Sequence, residues 1–175
     1  MAIRRSAGEH TPILTIGYEG ADIEAFVDKL REAGVEVLAD VRALPLSRKR
    51  GFSKNALATY LEQRDILYRH FGALGDPKEG RDAARAGHHA AFRQIYSRHL
   101  KSEGALAALT QLADLALTRK TCMMCFERDP LVCHRSMIAG RLLRRGFTAV
   151  NLFVEATERH ALPRRHSREG IAAAQ

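Results

Sequence analysis

The chain has 175 residues, 46% hydrophobic and only 6% aromatic, a length that suits one ordinary domain able to bury roughly 70% of its unfolded surface without crosslinks. No apolar run approaches the ~20 residues needed to cross a bilayer, and the amino terminus lacks the apolar stretch and cleavage site of a signal peptide, so no membrane partner and a cytoplasmic location are expected. The 28 Lys and Arg against 20 Asp and Glu give a formal charge of +8, which favours anionic partners without choosing among nucleotides, nucleic acid and a membrane surface.

Ile13 to Tyr18, after Pro12, is a short β-rich run and predicts a first strand. Ile23, Phe26, Val27 and Leu30 fall at helical spacing, with Asp22 to cap the start and Gly34 to end the helix. Val35 to Val41 reads as a buried second strand interrupted by Glu36 and Asp40. Arg42 to Lys54 is basic and aperiodic, a loop that presents side chains, and Ser53 can cap a helix carrying Leu57, Tyr60 and Leu61. Ile66 to Phe71 predicts a third strand.

The glycine-rich stretch from Gly72 to Gly87 reads as a long excursion, with enough glycine to act as a lid. Phe92, Ile95, Tyr96 and His99 predict one helix, and Leu106, Leu109, Leu112 and Ala113 a second. Thr121 to Glu127 predicts a fourth strand, Cys133 to Arg145 a helix ended by Gly146, and Thr148 to Phe153 a fifth strand. The alternation implies a single three-layer α/β domain over residues 1–155, with a mostly parallel sheet of about five strands. Residues 156–175 read as a basic, flexible tail.

Ligands of open parallel sheets bind beyond the carboxyl ends of the strands. The first strand delivers Gly17, Tyr18 and Glu19 to that rim, the second Asp40 and Arg42, and the fourth Glu127 with Cys133, His134 and Arg135 just beyond. A carboxylate ending a buried strand needs a partner, and Arg42, two residues on, projects to the same side as Asp40. Asp40 either ties down the following loop or orients substrate and accepts a proton. The loop from Arg42 through Ser47, Arg48, Lys49 and Arg50 can wrap an anion.

Cys122, Cys125 and Cys133, the three cysteines, crowd one segment and make a poor disulfide framework. Asp129-Pro130 turns the chain so that Cys133 falls in or just before a first helical turn, where free N–H groups and Arg135 favour a thiolate nucleophile. The competing reading is a small hydrophobe packing helix on sheet. Zinc is disfavoured on geometry, because an offset of three puts Cys122 and Cys125 on opposite faces of a strand, and adjacent Cys133 and His134 diverge on a helix. No Walker loop or dinucleotide-binding glycine run occurs, so no cofactor is expected.

Thr15-Ile-Gly-Tyr-Glu-Gly20, Asp40-Val-Arg42 with Pro45, Ser47-Arg48 and Gly51-Phe-Ser53, Leu74-Gly75, Cys125-Phe-Glu127 and Cys133-His-Arg135 occur in that order. In these motifs the chain resembles a widespread bacterial family known as the domain of unknown function 488. The resemblance implies a compact α/β fold and a shared site around Tyr18, Asp40, Arg42, Ser47, Arg48, Glu127, Cys133, His134 and Arg135, without assigning an activity. The reading that follows is a protein that binds and transforms a small anionic, phosphorylated or nucleotide-like substrate. Asp40, Glu127, Cys133 and Tyr18 would be catalytic, and Gly17, Arg42, Ser47, Arg48, His134 and Arg135 would bind substrate. The alternatives are a nucleic-acid-binding module, suggested by the charge but lacking aromatics among its basic clusters, and a regulatory domain that holds a ligand without turning it over.

Overall fold

The run after His10 forms strand β1, Thr11–Gly17, buried on both faces except at Pro12. Helix α1, Ile23–Glu32, follows; Asp22 Oδ1 accepts from the Ala25 N–H at 2.8 Å, and the helix stops before Gly34, whose φ of +67° suits glycine. Strand β2, Val37–Asp40, is wholly buried. Helix α2, Lys54–Glu62, begins after Ser53, which has the extended backbone of a cap residue but makes no side-chain capping bond. Strand β3 is Leu67–His70. The structure, a computed structural model, describes residues 10–155, so the expected basic tail lies outside the described residues.

The stretch from Gly72 to Gly87 is not a bare loop. It holds a 3-10 turn, Gly72–Leu74, and helix α3, Lys78–Arg85. The α3 sequence, Lys-Glu-Gly-Arg-Asp-Ala-Ala-Arg, carries no large apolar residue, so hydrophobic periodicity gives it no signal. Helices α4, His89–His99, and α5, Glu103–Thr118, lead to strand β4, Thr121–Cys125. A 3-10 turn, Pro130–Val132, then precedes helix α6, His134–Leu143, and strand β5, Phe147–Leu152. Strand β4 ends two residues before Glu127, and Cys133 is the extended residue that caps α6 rather than part of it.

All five strands pair in parallel in the order β3-β2-β4-β1-β5. The inner strands β2, β4 and β1 are almost continuously buried, while the edge strands β3 and β5 are partly exposed. One apolar layer joins Leu14, Ile16, Leu38, Cys122 and Met124 to α1 and α2. The opposite layer joins Ile13, Ala39, Met123 and Cys125 to α4, α5 and α6. The chain moves one way across the sheet with α1 and α2 and the other way with α3 to α6. Changing direction and face together keeps all crossovers of one hand.

At the carboxyl ends of β1 and β4 the two backbones meet closely. A Cβ on Gly17 would lie 1.9 Å from the Glu127 carbonyl oxygen and 2.5 Å from its carbon. Gly17 is not among the positive-φ glycines, so its need is space rather than backbone freedom. We expect Gly17→Ala to lose about 1–3 kcal/mol or more in urea unfolding, because backbone atoms must move to admit the methyl group. An unchanged midpoint would contradict this approach of the two strand ends.

Candidate active site

The rim residues divide between the two faces of the sheet. On the α1–α2 face, Asp40 is fully buried and paired with Arg42. Its Oδ1 accepts from Arg42 N at 3.1 Å and Nε at 2.9 Å, and its Oδ2 accepts from Arg42 Nη2 at 2.6 Å and the Tyr68 hydroxyl at 2.7 Å. Four donors fill the acceptor sites of the carboxylate. Arg42 Nη1 donates to the Tyr18 hydroxyl at 3.0 Å and to the Phe52 carbonyl at 2.9 Å. Tyr18 stacks on Phe52 with ring centroids 4.4 Å apart, and burial with the bond to Asp40 pushes the Tyr68 hydroxyl upward in pKa.

This network anchors the loop to the end of β2. Asp40, Arg42 and Tyr18 are buried and bonded to one another, to the Tyr68 hydroxyl and to backbone. Ser47 Oγ accepts from the Lys49 N–H at 3.1 Å in a local turn, while Arg48 is exposed. Gly17 serves the close strand approach described above. A shallow depression of about 400 Å³ between α2 and β3, lined by Ala58, Glu62, Asp65, Ile66, Leu67 and Tyr68, meets the network only at Tyr68.

The opposite face gathers the chemistry. Cys125 points there from the end of β4, while Cys122 points into the α1–α2 layer, as their offset of three requires. Cys133 and His134 do not diverge, contrary to the sequence expectation. Cys133 has φ −106° and ψ 148° outside the helix, so its sulfur and the ring of the first α6 residue turn to one point. His134 Nδ1 lies 3.7 Å from Cys125 Sγ and 3.8 Å from Cys133 Sγ, and the three ligand-type atoms lie within 4.8 Å of one another. The geometric case against a metal therefore fails for these three residues.

Each group is held from behind. His134 Nε2 lies 2.9 Å from the Val41 carbonyl, a contact that places a proton on Nε2, and the Tyr96 ring packs edge-on against the imidazole at 5.2 Å. Arg135 is 1% exposed; its Nε donates to Cys133 Sγ at 3.4 Å, Nη1 to Thr15 Oγ1 at 3.0 Å and Nη2 to the Glu127 carbonyl at 2.5 Å. Thr15 Oγ1 in turn donates to Asn151 Oδ1 at 2.8 Å. Glu127, half-buried, accepts from Cys125 Sγ at 3.2 Å. Asp76, just before α3, is buried with its Oδ1 unbonded, the only such side-chain atom found among the described residues.

The electrostatics are shared. Burial raises the Cys133 thiol, but the Cys125 hydrogen bond and the positive charge of His134 and Arg135 outweigh it and hold Cys133 well below the usual thiol range. Its bond to Cys133, followed by burial, pushes Cys125 up. Burial and the Cys133 charge lift Glu127 to about 7; burial lifts Asp76 to about 6 against the pull of His134 and Arg81. Burial lowers His134, yet Cys133 more than compensates and brings it to about 8.

The family model for Domain of unknown function DUF488 matches residues 22–142, from the cap of α1 into α6. The chain belongs to that family. The DUF488 match takes in both halves of the rim from Asp40 through Arg135, whereas Gly17 and Tyr18 precede it. No curated protein and no solved structure matches the chain. Among the described residues no helix is long and apolar enough to cross a membrane.

Sequence reasoning places Asp40, Arg42, Glu127, Cys133, His134 and Arg135 near the strand ends, and misses Asp76 and the membership of Cys125. Asp76 follows Leu74-Gly75 and precedes Pro77, a turn pattern that could have flagged it. Its carboxylate fits because α3 has no side chain at Gly80, where a Cβ would lie 2.1 Å from Oδ1.

The anchor has a measurable consequence. Asp40→Asn leaves Arg42 buried without its counter-charge and should cost about 3–5 kcal/mol in urea unfolding. Replacing Asp40 and Arg42 together by apolar residues of similar volume should recover much of that loss. Asp40→Asn with wild-type stability would contradict the network.

Proposed function

We propose that this DUF488 protein is an enzyme that transforms a small anionic substrate beside Glu127, using the thiol, imidazole and carboxyl groups on the α4–α6 face of the strand ends. One observation carries the reading: Cys125, Cys133, His134 and Glu127 converge within contact distance where parallel sheets bind ligands. Neutral or apolar residues would pack that space more stably, so a cluster of ionisable groups there speaks for chemistry.

The reading gives the residues unequal tasks. Glu127 is the member of the cluster that reaches partial exposure, so it is the group that hands a proton to substrate or takes one from it. Cys133 is 2% exposed, so its sulfur does not meet substrate as a nucleophile; it supplies negative charge next to Glu127. His134 and Arg135 position the thiolate, and Asp40, Arg42 and Tyr18 hold the loop rather than the substrate. Arg48, exposed, and the +8 charge attract an anion.

A melting screen of the full chain against nucleotides, sugar phosphates and short oligonucleotides tests the reading, followed by mass spectrometry of each compound that binds. Small phosphorylated ligands at ~100 times their dissociation constant should add ~2.7 kcal/mol, roughly 5–10 °C. The bound compound should be converted by wild type but not by Glu127→Gln, while Arg48→Ala should weaken its binding. A shift from oligonucleotides alone, erased by salt, would establish the nucleic-acid alternative. Binding without conversion would establish the regulatory one.

A further inference from the structure

The two sulfurs and the imidazole of the cluster carry more than the enzyme reading uses. We propose that Cys125 Sγ, Cys133 Sγ and His134 Nδ1 bind one divalent cation of the zinc class, with the fourth position open toward Glu127. This rests on the reading of the cluster as a reaction centre and names what that centre holds.

The distances fit a tetrahedral ion. Zinc–sulfur bonds of about 2.3 Å and zinc–nitrogen bonds of about 2.0–2.1 Å leave a sulfur–nitrogen edge of about 3.6 Å at the tetrahedral angle. The two observed edges are 3.7 and 3.8 Å. Their near equality matters, because an imidazole that served only as a hydrogen-bond donor to one thiolate would close on that sulfur and leave the other behind. Here Nδ1 faces both.

The surroundings are those of a ligand set. The Nε2 contact with the Val41 carbonyl holds one ring proton on that side, so Nδ1 is the nitrogen that faces the sulfurs and becomes the ligand once it gives up its own proton, the arrangement by which outer partners orient a ligating histidine. Arg135 Nε against Cys133 Sγ gives one ligand thiolate an outer donor. A divalent cation neutralises the Cys133 thiolate and the second thiolate that forms when Cys125 gives up its proton to become a ligand. Binding releases the Cys125 proton and the His134 Nδ1 proton to solvent as both become ligands.

Two cysteines and one histidine also leave a fourth position free, which distinguishes catalytic from closed structural zinc sites. Glu127 Oε2, 3.2 Å from Cys125 Sγ, lies outside the set of three but next to one of its members, where it can take a proton from a water bound to the ion. Cys122 faces the other layer and takes no part.

The test is titration of the purified full chain, stripped with a chelator under a non-thiol reductant, with Co2+ as the probe. The expected result is one cobalt per chain with sulfur-to-cobalt charge-transfer absorption, displaced by one equivalent of Zn2+. Cys122→Ser should bind as wild type, and Cys125→Ser should lose the band while circular dichroism verifies its fold. In wild type, Zn2+ should also slow alkylation of Cys125 and Cys133 by a larger factor than that of the core residue Cys122, a readout that needs no variant. No thiolate band in wild type, or a band undiminished in folded Cys125→Ser, would overturn the site. A cobalt band without any small-anion response in the melting screen upholds the metal and removes the substrate reading. An anion response in chelated protein that never shows the band does the reverse.

Discussion

The three-residue segment Asp40-Val41-Arg42 is the constraint on which both faces of the strand ends depend. The side chains of Asp40 and Arg42 lock together on the α1–α2 face, where Tyr18, Tyr68 and the Phe52 carbonyl complete their hydrogen bonds. The backbone between them serves the other face. The Val41 carbonyl bonds His134, the Arg42 carbonyl bonds His70, and the Asp40 carbonyl accepts from the Phe71 N–H. A charged pair that is costly to bury thereby fixes the carbonyl that aims the imidazole at two thiols.

The sheet thus separates the anchoring pair from the cluster of thiols, imidazole and carboxyl groups. Asp40 and Arg42 have the composition of a catalytic pair, but all four acceptor sites of the carboxylate are taken and neither group faces solvent. Across β4, Asp76 Oδ1 is the one buried side-chain oxygen or nitrogen without a hydrogen-bond partner among the described residues, and Glu127 Oε2 accepts from the Cys125 thiol. A buried polar group left unsatisfied costs stability. The close approach of Gly17 to Glu127 ties these halves together, since it sets how near the end of β1 comes to the chain that carries Glu127 toward Arg135.

Much of the fold is legible in the residues. Period-two and helical spacing give the strands and most helices in order, and Asp40 with Arg42 follows from alternation along an extended chain. Helix α3 escapes because its residues are polar throughout, and its stability comes from packing and local ion pairs such as Lys78 with Asp82. The division of the rim also escapes. That Asp40 and Cys125 lie on opposite faces depends on the register of β2 against β4, where Asp40 pairs with Met124, and pairing between strands 84 positions apart leaves no local trace. The convergence of Cys133 and His134 turns on a single residue. A helix starting at Cys133 would separate the two side chains, whereas one starting at His134 frees Cys133 to turn back.

The central claim, that Cys125, Cys133 and His134 converge on one metal-binding point on the α4–α6 face of the strand ends, is tested most directly by the anomalous difference map of a crystal grown with Zn2+ and measured at the zinc absorption edge. The account predicts one peak about 2.3 Å from the sulfurs of Cys125 and Cys133 and about 2.0–2.1 Å from His134 Nδ1, with Nε2 still bonded to the Val41 carbonyl. An ordered cluster with no peak, and with the His134 ring turned away from both sulfurs, would contradict it.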